Sequence, residues 1–142
     1  MSQETIFLPV LALAALTFAV LLFIPLRRFR AAFVGQVTPN DFALGENANV
    51  PPHVVLANRN YMNLLELPVL FYVVCAALYV TGQVDTLAVN LAWAYVALRA
   101  LHSVVHISYN NVVHRLSLFA ISNFVLMALW IVFGLRICEA AA

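Results

Sequence analysis

Four apolar stretches, set apart by polar breaks, give the chain its pattern. They run over residues 6–26, 53–80, 85–106 and 112–137. At 1.5 Å per helical residue, each can cross a hydrocarbon core of ~30 Å. The pattern predicts an all-α protein, a four-span transmembrane helical bundle forming a single domain over residues 1–142. Thr81-Gly82-Gln83 and Tyr109-Asn110-Asn111 read as short turns, so spans two and three are expected to be antiparallel neighbours. Pro9 falls where a helix tolerates proline, and Pro25 is expected to mark the end of span one. The stretch 31–52 is the one long polar, turn-rich connection, with Gly35, Pro39, Asn40, Asp41, Gly45, Pro51 and Pro52. The N-terminus lacks a basic leader, so span one is expected to be retained rather than cleaved.

A second pattern lies inside the apolar one. Arg59, Asn63 and Glu66 stand at i, i+4 and i+7 and share one helical face. In span three, Arg99, His102 and His106 stand at i, i+3 and i+7. Glu66 within a hydrophobic helix is costly without a partner, and Arg99, at similar depth from the same end, is the expected one. Arg115 opens span four. Together these groups read as a polar funnel suited to a small anion carrying carboxylates and an amine. Guanidinium groups grip carboxylates in forked geometry, and nearby cations lower a thiol pKa. Each residue also has a plainer reading. The Glu66–Arg99 pair can merely fix helix register, Arg59 can snorkel to headgroups, and Arg27, Arg28 and Arg30 can serve topology and lipid contacts. His53 and His114 suit the interface, and Trp93, Tyr95 and Trp130 suit packing or anchoring. His102 and His106 have a metal-compatible spacing but no acidic or cysteine ligand close in sequence, so no metal is expected.

Composition narrows the class. Hydrophobic residues make up 65% of the 142 positions and charged ones 9%, against about half and a quarter in soluble domains. No basic run is long enough for nucleic acid, so the surrounding partner is membrane lipid. All seven basic residues are arginines, which stay charged and bond bidentately where lysine does not. Cys75 and Cys138 lack a CxxC spacing and read as small apolar residues rather than a disulfide framework. Arg27, Arg28, Arg30, Arg59 and Arg115 all fall at one end of the spans. By the positive-inside rule this puts the long 1–2 loop and the 3–4 turn in the cytoplasm and both termini outside. A transporter is a weaker reading, because the spans show no broken helix and no continuous polar path.

Arg59, Asn63, Glu66 and Pro68 in span two, Arg99 and His102 in span three, and Arg115 opening span four resemble the pattern of the MAPEG family, the membrane-associated proteins in eicosanoid and glutathione metabolism, here in a bacterial-type member. The resemblance covers essentially the whole chain. It implies a homotrimer with sites between adjacent subunits and glutathione as co-substrate. It implies a glutathione-dependent membrane transferase or peroxidase acting on an apolar electrophile. Arg115 would stabilise the thiolate, and Arg27, Arg59, Asn63, Glu66, Arg99, His102 and His106 would bind the peptide. Leu116 and Phe119 stand where one branch of the family has hydroxyl side chains, and His106 where it has a tyrosine. These departures reduce the thiol-activating part to Arg115, helped by His106. They also motivate the alternative of a non-catalytic member of the same fold that binds a lipid or a protein partner.

Overall fold

The first apolar stretch folds as one long helix, α1 (Phe7–Phe33), entered through a 3-10 turn at Gln3–Ile6. The structure is a computed structural model and describes residues 2–141. Helix α1 does not end at Pro25 but continues through it. Proline forfeits the one bond its missing N–H would make, and the turns beyond it are tied down from outside. Arg27 donates to the carbonyls of His53 at 2.6 Å and Ile107 at 2.9 Å, and Arg28 pairs with Glu46 at 3.1 Å. Gly35 (φ 72°) then stops the helix. Its N–H bonds Ala32 O and that of Gln36 bonds Ala31 O, the paired arrangement that a left-handed glycine permits.

The second stretch, expected as one span over 53–80, is one membrane-length rod, Pro52–Val80, built from two helices, α2 (Pro52–Leu65) and α3 (Pro68–Val80), with a break at Glu66. Pro68 has no N–H for the Leu64 carbonyl, and its ring crowds that carbonyl. The chain relieves both at Glu66, which leaves the helical region with ψ −102°. Gly82 (φ 70°) closes α3 as Gly35 closes α1. Helix α4 (Thr86–Ile107) starts at Asp85, whose carboxylate accepts the Ala88 N–H at 2.8 Å as an N-cap. The same carboxylate pairs with Arg136 of α5 (Val112–Ala141) at 2.5 Å. Burial disfavours the Asp85 charge, but the Ala88 N–H and Arg136 outweigh it and hold the carboxyl below its ordinary range.

Four rods are long and apolar enough to cross a membrane: Gln3–Phe33, Pro52–Val80, Thr86–Ile107 and Val112–Ala140. Among the described residues there is no β-strand beyond an isolated bridge between Ala43 and Gly45. Helix α5 runs along α4, and α1 packs on α2 and α4. The core joins Leu13, Leu64, Val74, Leu78, Ala92 and Leu129, with Phe71 stacked on Tyr95 at 4.9 Å. Leu11, Phe18, Leu22, Phe124 and Ile131 are exposed, as suits side chains whose solvent is lipid.

The polar connection is knotted around Asp41. Its carboxylate accepts the Thr38 N–H (2.7 Å), the Thr38 hydroxyl (2.9 Å), and the side-chain amides of Asn47 (2.8 Å) and Asn49 (3.2 Å). Led by the Thr38 N–H, these donors hold the carboxyl well below the usual carboxylate range. A depressed pKa stabilises the fold above the unfolded value of about 3.9 and ceases to as pH falls from there through the folded value. Hydrogen exchange across 38–49 is therefore expected to stay slow down to about pH 4, rising under stronger acid. In Asp41→Ala it should be fast at neutral pH.

Candidate functional site

Most of the buried polar groups among the described residues line one stripe of α4. Tyr95, Arg99, His102, Ser103 and His106 are all buried there, facing Asn60 and Asn63 of α2. Arg99 is fully buried. Its Nη2 donates to the Asn63 carbonyl at 2.6 Å and to Asn63 Oδ1 at 2.5 Å. The helix break explains the first of these bonds. In an unbroken helix the Asn63 carbonyl would accept from the Leu67 N–H; with the chain turned at Glu66, Arg99 accepts that role as donor. A cation at a helix C-terminus is also favoured by the helix dipole. The guanidinium further lies 5.8 Å from the centre of the Phe119 ring, within cation–π range.

The expected Glu66–Arg99 ion pair is absent. Glu66 is exposed, and the ion pairs among the described residues are Arg28–Glu46 and Arg136–Asp85. The helix ends at Glu66, and the Glu66 carboxylate lies near enough to attract Arg99 through space without bonding to it. Arg99 Nε and Nη1 have no partner.

Above Arg99, a pocket of about 260 Å³ opens between α2, α4 and α5, lined by Asn63, His102, His106, Val112, Arg115, Leu116 and Phe119. Arg115 is fixed by its Nη1 bond to Asn110 Oδ1 at 2.6 Å. Asn110 adopts φ 47°, a left-handed turn geometry asparagine tolerates. His102 Nδ1 lies 3.1 Å from the Arg115 carbonyl. A carbonyl only accepts, so Nδ1 carries the proton and Nε2, buried and unpartnered, carries the lone pair. The His106 ring stands 5.7 Å from that of His102, and Phe119 packs over His102 at 5.9 Å.

Of the residues singled out by spacing or resemblance, Asn63, His102, His106 and Arg115 line this pocket, with Arg99 beneath it. Arg59 is exposed and lines a neighbouring cavity of about 390 Å³ with Glu46 and Asn110. Arg27 lines another, of about 580 Å³, with Arg30, Gln36 and His53. Glu66 stands outside all three. Sequence reasoning missed Asn110 as the holder of Arg115 and Phe119 as the cover of Arg99 and His102. The asparagine in a predicted turn, five positions before the arginine, was the available signal for the first.

Chemically, the pocket joins a part-buried arginine to a fully buried one, and no carboxylate lines it. Positive charge removed from water is stabilised by an anion at hand. A model of the MAPEG family matches residues 6–135. No curated protein and no solved structure matches the chain.

Proposed function

The chain belongs to the MAPEG family, and from that premise we propose that it binds glutathione in the α2–α4–α5 pocket and joins its thiol sulfur to an apolar electrophile arriving from the bilayer. The observation that carries this reading is that Arg99 and Arg115 have no salt-bridge partner among the described residues, beside a pocket lined by no carboxylate. The donor set fits an anionic tripeptide. Arg115 presents a fork for a carboxylate or a thiolate, and the Asn63 amide can donate to a peptide carbonyl.

Glutathione supplies the nucleophilic thiol. The protein's part is to orient it, to stabilise the negative charge on sulfur through Arg115, and to exclude water with Val112, Leu116 and Phe119. Arg99 acts through Asn63, whose side chain it holds, and through its field.

The site within one chain is small for a ligand pocket, which is typically about 300–1,000 Å³, and it leaves Arg59 and Glu66 exposed at the edge of an apolar span. Exposed charge against hydrocarbon is costly. Both facts support a homotrimer in which an adjacent subunit covers that face and completes the pocket. The arginine-rich end, with the 1–2 loop and the α4–α5 turn, is the cytoplasmic one on this reading.

Leu116 and Phe119 favour a second reading, a non-catalytic member that binds a lipid or protein partner, because no hydroxyl lines the pocket to assist a thiolate. Calorimetry on the detergent-purified protein separates the two. Saturable binding of glutathione, competed by S-alkyl glutathione and followed by turnover of a reactive aryl halide, is expected. A well-folded protein that binds neither compound at millimolar concentration would overturn the glutathione site.

A further inference from the structure

A thiol near pH 7 keeps its proton, with a free pKa of about 8.5, and only the thiolate attacks. Arg115 stabilises that thiolate but is permanently protonated and cannot accept the proton. The remaining lining groups can be taken in turn. Val112, Leu116 and Phe119 have no lone pair to offer. Asn63 Oδ1 is engaged by Arg99 at 2.5 Å, and an amide is not a base. His102 has its Nδ1–H committed to the Arg115 carbonyl, and its Nε2 is buried. His106 is different. It lines the pocket and is 5% exposed; its Nδ1 is buried without a partner, but its Nε2 is not among the buried atoms and has no bond within the described residues, so Nε2 is the nitrogen open to a thiol.

Resting on the glutathione reading above, we propose that His106 is the proton acceptor of the site, so that the chemistry is divided between an imidazole on α4 and a guanidinium on α5. His106 takes the thiol proton as the S–H bond breaks, and the electron pair stays on sulfur beside Arg115. Sulfur then forms a bond to the electrophilic carbon. The displaced electron pair leaves with a halide, the imidazolium then losing its proton to water, or goes to the adjoining carbon of an activated alkene, which takes the proton back from the imidazolium. The groups facing His106 are Arg115 from α5, Arg59 from α2, and Arg99 and His102 from its own helix. No carboxylate is among them, and the one other group there able to take a proton, His102, has its Nδ1–H held by the Arg115 carbonyl and its Nε2 buried.

The test uses wild type, His106→Gln and His106→Asn in detergent, with glutathione and a reactive aryl halide, and reads the ultraviolet thiolate band as well as turnover. Bound glutathione is expected to show the band in wild type and to lose it at neutral pH in both variants. In the variants kcat should fall roughly 10²–10⁴-fold, the usual worth of a positioned acid–base group, with KM for glutathione within a few-fold. Folded variants that keep both band and kcat overturn the His106 assignment while leaving the glutathione site standing. Wild type that binds no glutathione overturns the site itself, and this assignment with it. Should both variants misfold, calorimetry of wild type in two buffers of different ionisation heat decides. A thiolate band without net proton release supports His106, and one proton released per glutathione bound overturns it.

Discussion

Arg115→Ala is expected to slow the joining of sulfur to the electrophile by roughly 10²–10³-fold, the cost of removing one preorganised donor from a developing or resting anion. The effect should fall on kcat, because the rest of the pocket survives the change. His102 is held by the backbone carbonyl of residue 115, not by its side chain, so its tautomer and orientation persist in the variant. Asn110 loses its guanidinium donor but sits at the turn, within reach of water. Steady-state kinetics with saturating glutathione checks the prediction. An unchanged kcat would show that the charge on sulfur is stabilised elsewhere.

The second large effect belongs to Arg99. Arg99→Met keeps an unbranched stem of similar reach to the arginine's aliphatic part and removes the charged guanidinium. Glutathione binding is expected to weaken by about 2 kcal/mol, the size of a unit-charge interaction over roughly 8 Å at an effective dielectric of 20, or about thirty-fold in Kd. On stability the consequences oppose one another. Two bonds to Asn63 are lost, each of them charge-assisted, but a buried guanidinium without a carboxylate is relieved of its desolvation cost. Binding by calorimetry is therefore the cleaner readout, and unchanged affinity would remove Arg99 from the account. Glu66→Gln carries no comparable expectation through Arg99, since the two side chains do not pair.

Pro25 and Pro68 show how far the chain could be read before its fold was known. Both lie in apolar stretches, and the same rule applies to each. The helix ignores the first and breaks at the second. What differs is tertiary. Arg27 and Arg28 anchor the turns beyond Pro25, whereas at Pro68 the freed Asn63 carbonyl finds Arg99 from another helix. Apolar length made the four spans legible, because spanning a membrane is a property of long runs that one residue does not change. Helical spacing made the stripe of Arg99, His102 and His106 legible for the same reason. The partner of Arg99 was not legible, since it depends on the break at Glu66 that frees the Asn63 carbonyl. Nor was the divergence of Arg27 and Arg59 into separate cavities, which depends on how the 31–52 connection folds around Asp41.

The most direct measurement is an experimental structure of the detergent-purified protein with S-alkyl glutathione. The account predicts the peptide between Asn63, His102, His106 and Arg115, its sulfur beside Arg115, with an adjacent copy of the chain closing the pocket over Arg59 and Glu66. A ligand seated elsewhere, such as the apolar cavity between α1 and the connection at Arg28 and Phe42, would contradict it, as would a folded protein that takes up none.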